Sequence, residues 1–293
     1  MTYAAITGWG KCLPPAVLTN ADLATFLETD DEWITSRTGI RERRISHVRL
    51  EDLAVVAAHR ALAAAGLAPE ALDLIVFGTC SFDDQVPNQA SGLQRRLGAT
   101  RAASMDVNTA CTSFLYSLST ATALIRSGAV RNALVMGGEL ISAFMDWDNR
   151  NVAVLFGDGC AGVVLQASEE RTGLVAQRLG CDAQGRDSLV VKGVGMRYAD
   201  FTRRYGDTSW TFEGQEIFKR AVVGMSEAAS SVLAAESLTA DDIDLVVPHQ
   251  ANLRIIEAVA KRAGAPMERV FVNVHRYGNM SSATVPVALD MLP

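Results

Sequence analysis

The chain has 293 residues, of which 49% are hydrophobic and 20% are charged, and its formal net charge is −6 at pH 7. This composition excludes collagen-like, coiled-coil and disordered chains, and the length suffices for about two domains with a buried core. The acidic balance argues against a general nucleic-acid-binding protein.

Neither a membrane span nor a metal site is expected. The apolar runs, such as residues 74–77, are far shorter than the ~20 residues that cross a bilayer. Residues 1–10 have the pattern of a first strand rather than of a signal peptide. The five cysteines are odd in number, widely spaced and without a C-x-x-C pair, which argues against a disulfide framework or structural zinc. The sequence therefore predicts a soluble cytoplasmic protein.

After the first strand, the predicted elements alternate between helices and strands, which favours a layered α/β fold. No linker rich in proline, glycine or serine divides the chain, so we expect one interlocked body. In chain order the predicted elements are a helix at 51–65, a strand at 75–78, helices at 88–97 and 112–127, strands at 133–136 and 161–166, a helix at 214–235, a strand at 244–248 and a helix at 252–263.

The two halves of the chain share short segments in the same order, which predicts a duplicated unit. Alanine-rich helices that precede apolar strands would also align by chance. We expect an N-terminal half at 1–168 and a C-terminal half at 169–293 that lacks its final strands, since only residues 277–293 follow the last match. The matches are 67–76 with 238–247, 87–90 with 248–251, 96–99 with 262–265, and 106–107 with 273–274.

Cys111 is the first candidate for chemistry, because it lies where an apolar strand ends and an apolar helix begins, within residues 106–114. The unpaired amides at a helix N-terminus lower the pKa of a thiol and stabilise the thiolate, which is the nucleophilic form. A small cysteine that merely packs the start of a helix is the alternative.

His249 and Asn279 are the other candidates. His249 directly follows the predicted strand 244–248, and ligands gather at strand ends in α/β sheets. The other three histidines are interpreted as structural or solvated. Asn279 lies in the loop that the repeat makes the counterpart of the Cys111 loop. Although a lone Gly-Asn pair is usually only a turn, pseudo-symmetry would bring Asn279 and Cys111 together in the middle of the molecule.

Together with these residues, five motifs resemble the β-ketoacyl-acyl-carrier-protein synthase III family, condensing enzymes of the thiolase superfamily. The resemblance covers the whole chain and implies a thiolase-like α/β fold. In that fold, duplicated βαβαβαββ halves pack as a five-layered αβαβα body. The motifs lie at residues 31–43, 110–114, 156–159, 248–254 and 277–279.

The resemblance implies a decarboxylating Claisen condensation that initiates fatty acid synthesis. Cys111 would accept the acyl group of an acyl-CoA starter, and its backbone amide would form part of the oxyanion hole. His249 and Asn279 would donate hydrogen bonds to the thioester oxygen of malonyl-acyl carrier protein and stabilise the enolate formed as carbon dioxide leaves. Coenzyme A enters as a substrate thioester, and no cofactor or metal is implied.

The resemblance also assigns residues to substrate binding. Trp33 and Arg150 would sandwich the adenine, since aromatic rings and guanidinium groups both stack on purines. In acetyl-specific members, a phenylalanine of the partner subunit blocks the acyl pocket. The smaller Val86 stands at that position here, so we expect a medium-chain starter. The implied coenzyme A contacts are Thr29, Trp33, Arg37, Arg150, Gly214, Phe218 and Asn252, and the acyl pocket comprises Val86, Ile141 and Phe156.

The implied partners are acyl-CoA, malonyl-acyl carrier protein and a second copy of the chain in a homodimer; nucleic acids and membranes are not expected. Acyl carrier proteins are strongly acidic, so a basic face would attract them. A solvated helix face is the alternative interpretation. The residues of this basic face are Lys219, Arg220, Arg254, Lys261 and Arg262.

Other functions stay open from the sequence. A relative in secondary metabolism would transfer its acyl group to a different acceptor. A non-catalytic partner subunit of a ketosynthase typically loses the cysteine, so Cys111, His249 and Asn279 together argue against it. A cysteine hydrolase would need a histidine held by Asn or Asp as a base.

Overall fold

The computed structural model describes residues 1–194 and 208–292. Its strands are β1 (Tyr3–Cys12), β2 (Val17–Thr19), β3 (Glu42–Arg44), β4 (Leu74–Gly78), β5 (Ala103–Val107), β6 (Asn132–Glu139), β7 (Gly159–Ser168), β8 (Leu189–Lys192) and β9 (Ser209–Phe212). Its α-helices are α1 (Asn20–Leu23), α2 (Asp31–Thr38), α3 (Leu50–Ala65), α4 (Gln89–Leu97), α5 (Ser113–Arg126), α6 (Arg150–Ala153), α7 (Gly214–Ala235), α8 (Leu253–Ala263), α9 (Val274–Tyr277) and α10 (Thr284–Leu289).

A five-stranded sheet with the order β1-β7-β6-β4-β5 forms the centre of the N-terminal part. Strand β4 runs parallel to β5 and β6, whereas β7 runs antiparallel to β6 and β1. The order β1-α3-β4-α4-β5-α5-β6-β7 is the βαβαβαββ order expected for one half, with β2, α1, α2 and β3 inserted after β1. Because β4, β5 and β6 are parallel, their carboxyl ends meet at one edge of the sheet.

Helices cover both faces of this sheet, and strand β4 accordingly has apolar residues on both of its faces. All five residues of β4 are buried, as expected for a parallel strand between two helical layers. Ile75 and Phe77 pack in the cluster formed with α3 and α4. Leu74 and Val76 pack on the opposite face in the cluster that contains residues of α5. The alternation follows from the two-residue period of a strand.

Strand β1 and helix α3 pack backbone to backbone, and glycine makes this possible. A Cβ atom on Gly10 would lie 2.5 Å from both the carbonyl oxygen of Ala57 and the amide nitrogen of Ala61. Gly8 is equally close to the next turn of the helix, with 2.3 Å from a Cβ to the Ala61 oxygen. The alanine-rich sequence of α3 and the glycines of β1 therefore belong to one contact.

The C-terminal part differs from the expectation at its predicted strand. Within residues 208–292, residues 244–248 form only an isolated parallel bridge between Val246 and Val270. The Val246 amide donates to the Arg269 oxygen at 2.7 Å, and Phe271 donates back to Val246 at 2.9 Å. The corresponding β4 pairs with neighbours on both sides, whereas this segment makes a single bridge to one neighbour.

The helices agree closely with the expectation. The five predicted helices are present as α3, α4, α5, α7 and α8, and each end differs from its predicted position by at most one residue. The strands predicted at 75–78, 133–136 and 161–166 are also present and slightly longer. In the part of the chain that the structure describes, no helix combines the length and apolar composition needed to cross a bilayer.

Candidate active site

Cys111 lies on a short 3₁₀ turn, Ala110–Thr112, between the end of β5 and the start of α5. Ala110, directly before it, has a φ of +50°, a left-handed conformation that is uncommon for a residue with a side chain. The Asn108 side-chain oxygen accepts the Ala110 amide at 3.3 Å. Cys111 as a whole residue is half-buried, and this strained turn places it at the edge of the sheet.

Asn279 is held by its backbone and by its own side chain. Its amide donates to the Leu155 oxygen at 2.9 Å, and its carbonyl accepts from Gly157 at 3.1 Å, which forms a bridge beside Phe156. The side-chain oxygen of Asn279 accepts the Ser281 amide at 2.8 Å. This bond fixes the amide group and leaves its Nδ2 hydrogens for another acceptor.

The turn that carries Cys111 and the turn that follows Asn279 have the same local structure. Ser281 has a φ of +47° and begins the 3₁₀ turn Ser281–Ala283, as Ala110 does in the first turn. The equivalent pairs are Asn108 with Asn279, Ala110 with Ser281, and Ser113 with Thr284, each 171 residues apart. The residue equivalent to Cys111 is thus Ser282, and the residue equivalent to Asn279 is Asn108.

His249 lies in the loop after the Val246 bridge, and its neighbour Gln250 anchors that loop. The fully buried Gln250 donates to the oxygens of Pro248 and Phe271 at 3.0 and 3.1 Å and accepts the Asn273 amide at 2.9 Å. The His249 Nδ1 lies 2.6 Å from the Thr284 hydroxyl. Because Thr284 begins α10 directly after the Ser281–Ala283 turn, this contact joins the histidine loop to the Asn279 loop.

A buried carboxylate, Glu139 at the end of β6, ties these loops to the sheet. Its oxygens accept from the Thr79 hydroxyl at 3.1 Å, the Cys80 amide at 3.1 Å and the Ser81 hydroxyl at 2.5 Å. The Ser281 hydroxyl donates to it at 3.2 Å. Burial raises the pKa of Glu139, although these hydrogen bonds oppose the shift. Ser281 therefore joins Glu139 to the Asn279 loop.

The pKa of the Cys111 thiol is raised, whereas the sequence predicts that it is lowered. Burial raises the pKa of the Cys111 thiol to about 11, the Ser281 hydroxyl lowers it, and the Glu139 charge raises it. The expected lowering by the helix N-terminus is therefore outweighed, because the surrounding protein disfavours the charged thiolate. Burial also lowers the pKa of His249 to about 4, so its imidazole is neutral at pH 7.

The residues assigned to coenzyme A lie partly together, around the exposed side of α2. The Trp33 ring has the guanidinium of Arg37 at 4.5 Å and that of Arg150 at 4.7 Å from its centre. Arg150 also donates to the Glu28 oxygen at 2.5 Å. The Thr29 hydroxyl oxygen is buried without a hydrogen-bond partner among the described residues. Arg150 thus already occupies a stacking position on Trp33.

The other coenzyme A candidates lie at the starts of α7 and α8. Gly214 is the exposed first residue of α7, and Phe218 follows one turn later, with the Arg254 guanidinium 5.9 Å from its ring. Asn252 is the N-cap of α8, since its side-chain oxygen accepts the Ile255 amide at 2.9 Å. That capping role is readable from an asparagine before an apolar helical run, and the sequence interpretation missed it.

Two of the three acyl-pocket candidates lie in one cluster. Ile141 and Phe156 are both buried in the same apolar cluster. Asp158 fixes the Ile141 turn by accepting the Ser142 amide at 3.0 Å and the Ser46 amide at 2.7 Å. Val86 lies outside this cluster and is 84% exposed. Within one chain, therefore, the structure does not bring Val86 to the other two residues.

The basic candidates are on α7 and α8, which pack together, but not all are unpaired. Arg220 forms ion pairs with Asp182 and Glu216. Arg262 lies 4.0 Å from Glu227. Lys219, Arg254 and Lys261 are exposed.

Among the described residues, no group of three or more His, Cys, Asp or Glu side chains is placed to hold a metal ion. An apolar cavity of about 440 Å³ lies between α5, α7 and α8, and its lining includes Leu118, Val232 and Val246 but none of the predicted site residues. It lies where the Val246 bridge has no second neighbour.

Two models of one protein family match the two parts of the chain that carry the candidate site. The family model described as 3-oxoacyl-[acyl-carrier-protein] synthase III matches residues 105–183, and the model of its C-terminal part matches residues 233–292. A β-ketoacyl-[acyl-carrier-protein] synthase III 2 of Vibrio cholerae is 55% identical over 98% of this chain and 79% of its own length. The synthase III of Roseiflexus castenholzii is 46% identical over 98% of this chain and 88% of its own length.

Solved structures give the same result. The 3-oxoacyl-[acyl-carrier-protein] synthase III of Aquifex aeolicus superposes with a TM-score of 0.90 at 40% identity, covering 98% of this chain and 89% of that one. The enzyme of Pseudomonas aeruginosa gives a TM-score of 0.90 at 38% identity, covering 98% and 88%. These likenesses confirm the predicted fold class.

Proposed function

Because the chain belongs to the 3-oxoacyl-[acyl-carrier-protein] synthase III family, we propose that it joins an acyl-CoA starter to malonyl-acyl carrier protein with loss of carbon dioxide. Cys111, His249 and Asn279 are the catalytic residues of this reaction. The observation that supports these roles is the turn at Ser281–Ala283. It contacts the groups around Cys111, fixes the Asn279 amide and is followed directly by the threonine that contacts His249.

In the first half-reaction, Cys111 accepts the acyl group. Its sulfur attacks the thioester carbon of acyl-CoA, the bond to the coenzyme A sulfur breaks, and the proton of the Cys111 thiol leaves to the coenzyme A thiolate. With a pKa of about 11, the resting residue is a thiol, which resists unspecific oxidation and alkylation. The proton therefore leaves during the reaction rather than before it.

In the second half-reaction, His249 and Asn279 stabilise an enolate. The Asn279 amide is oriented with its Nδ2 hydrogens unused by Ser281, and the His249 imidazole is neutral. Both donate to the thioester oxygen of malonyl-acyl carrier protein while its carboxylate leaves as carbon dioxide. The enolate carbon then attacks the acyl carbon on Cys111, the bond to the Cys111 sulfur breaks, and the thiolate takes up a proton.

Coenzyme A binds along α2 and the starts of α7 and α8. The adenine stacks on Trp33, and the guanidinium of Arg150 moves from its position 4.7 Å from that ring to cover the other face of the purine. The unpartnered Thr29 hydroxyl and the Nδ2 group of Asn252, whose oxygen caps α8, supply hydrogen bonds. Arg37, Gly214 and Phe218 complete the path.

The acyl pocket forms in a homodimer. Ile141 and Phe156 line the pocket of one subunit, and the exposed Val86 belongs to the loop that enters the pocket of the partner. The 84% exposure of this side chain within one chain is consistent with that placement, because it leaves Val86 free to contact a partner. The small size of Val86 leaves room for a medium-chain starter.

The carrier protein docks beside the coenzyme A entrance. Lys219, Arg254 and Lys261 are the exposed cations of this face, whereas Arg220 and Arg262 have acidic neighbours.

The enzyme works in the cytoplasm, which is consistent with its free cysteines. Its two halves, 1–168 and 169–293, derive from one duplicated unit, which the equivalence of the Cys111 and Ser282 turns supports.

Mass spectrometry and a product assay test the function together. Incubation with acyl-CoA should add one acyl group to Cys111, and subsequent malonyl-acyl carrier protein should give 3-oxoacyl-acyl carrier protein. C111A should lose the adduct, and C181A, at an exposed cysteine, should retain it. H249A and N279A should keep the adduct but lose condensation by about 10²-fold or more. An adduct that passes only to other acceptors would contradict the proposal.

A further inference from the structure

The hydroxyl of Thr284 faces His249 from a position that water does not reach. Thr284 is 0% exposed, and its Oγ1 lies 2.6 Å from the His249 Nδ1 and 2.9 Å from the Ser281 carbonyl oxygen. Within this enclosure the hydroxyl has one proton to donate. It can give that proton either to the imidazole or to the carbonyl, and the two choices leave His249 in different states.

The carbonyl does not need the hydroxyl proton. The backbone amide of Thr284 already donates to the Ser281 oxygen, so this acceptor is satisfied without the side chain. The ring nitrogen Nδ1 has the hydroxyl as its partner at 2.6 Å, near the short end of the range for such bonds. The hydroxyl can therefore turn its proton toward the ring without leaving the carbonyl unpaired, and Nδ1 keeps the hydroxyl as its partner in either direction.

The direction of this bond decides what His249 offers to a substrate. Because burial lowers the pKa of His249 to about 4, the ring carries only one N–H at neutral pH. If Thr284 accepted from Nδ1, the other nitrogen would be bare and would repel a carbonyl oxygen. If Thr284 donates to Nδ1, the single N–H is at Nε2 and can stabilise an oxyanion.

We propose that Thr284 is a positioning residue that donates its hydroxyl proton to Nδ1 of His249 and thereby holds the N–H at Nε2, toward the reacting thioester. This inference rests on the proposed role of His249 in the second half-reaction. The equivalent hydroxyl, Ser113, donates to the Ala110 oxygen at 2.7 Å and accepts from the Thr109 amide at 2.9 Å. The equivalent position in the Cys111 turn thus serves the backbone.

The first test separates the two half-reactions. T284V keeps the branched shape but removes the hydroxyl, and it should lower kcat for malonyl decarboxylation and condensation on the order of 100-fold. The KM for malonyl-acyl carrier protein and the rate of Cys111 acylation should change little. T284S should restore most of the loss. T122V, which removes a buried hydroxyl of α5 that has no hydrogen-bond partner, is the matched control and should retain full activity.

The second test reads the ring directly. Long-range ¹H–¹⁵N correlation spectra of the wild-type protein should show His249 with its proton on Nε2 and with a hydrogen-bonded, bare Nδ1. A proton on Nδ1 would overturn the inference, as would unchanged kcat in T284V or equal loss in T284V and T284S. If the wild-type protein did not decarboxylate malonyl-acyl carrier protein, the proposed function would fail, while the spectrum would still decide the tautomer.

Discussion

Cys111 has two opposing influences on its reactivity, and their balance is set by its immediate surroundings. The helix that follows it stabilises negative charge at its N-terminus. The protein packed around the thiol and the carboxylate of Glu139 disfavour that charge, and together they raise its pKa to about 11. The free residue is therefore a thiol at neutral pH, and the nearby hydroxyl of Ser281 favours its thiolate.

This balance predicts an unusual pH dependence of alkylation. In a C181A background, which removes the exposed cysteine, the rate at which iodoacetamide modifies Cys111 should rise about tenfold per pH unit through pH 10, because only the thiolate reacts. S281A should be slower at each pH, since the Ser281 hydroxyl lowers the pKa of the thiol. Peptide mass spectrometry follows the reaction. A plateau below pH 9 would show that the thiol ionises more readily.

At the scale of elements, the position of the site depends on how closely α3 approaches β1 and on where the parallel strands end. The glycines of β1 let the helix backbone contact the strand, while β4, β5 and β6 deliver residues 79–81, the Cys111 turn and Glu139 to one sheet edge. The polar groups at that edge then hydrogen-bond to each other rather than to sheet neighbours.

Two glycine substitutions should change stability in opposite directions. G10A places a Cβ 2.5 Å from backbone atoms of α3, and the resulting shift should lower the free energy of unfolding by about 1–3 kcal/mol. G224A, in the open middle of α7 with nothing within 4 Å of its Cβ, should raise it by up to about 1 kcal/mol. Urea unfolding of both variants measures these changes. Equal stability of G10A and the wild type would mean that β1 and α3 are not in close contact.

The sequence predicts those elements whose signals are local, such as apolar spacing and helix caps. Helices α7 and α8 could be predicted to within a residue, because their apolar spacing and caps are local signals. The segment 244–248 was wrongly predicted as a strand, since its apolar run says nothing about whether neighbours pair with it. The lowered pKa expected for Cys111 was wrong for a similar reason: burial by distant segments is not written beside the residue.

Other site residues were within reach of the sequence but were missed. The offset of 171 that relates residues 67–76 to 238–247 also relates Ala110 to Ser281 and Ser113 to Thr284. Extending that offset through the loops would have singled out Ser281 and Thr284. Glu139 gave no such signal, because its partners at residues 79–81 and 281 are distant in the chain. Only the fold brings them together.

At the scale of the whole molecule, the proposed pocket needs two copies of the chain. Ile141 and Phe156 are buried in one subunit, and the 84% exposure of Val86 leaves it available to a partner. A residue whose side chain closes a neighbour's pocket controls substrate choice without being part of the neighbour's fold. Changes in starter preference would then cost the folded subunit little stability.

A substitution at this loop should change which starter is used. Wild-type enzyme is expected to prefer octanoyl-CoA to acetyl-CoA, and V86F should lower kcat/KM for octanoyl-CoA by at least about tenfold relative to acetyl-CoA, because a larger side chain fills the pocket. V48F, at another exposed valine, should leave the ratio unchanged. Steady-state kinetics with both thioesters measure it. Strong acetyl preference in the wild type would contradict the medium-chain proposal.

The turn at residues 281–283 has a consequence for how such an enzyme can evolve. This short segment lies beside Cys111, fixes the Asn279 amide and leads directly into the threonine that contacts His249. If the proposed roles of these three residues hold, a substitution there changes both half-reactions together. Beneficial changes in one step would be masked by losses in the other, and pairs of changes would be strongly non-additive. We therefore expect changes in starter preference to arise at peripheral positions such as Val86 rather than in this turn.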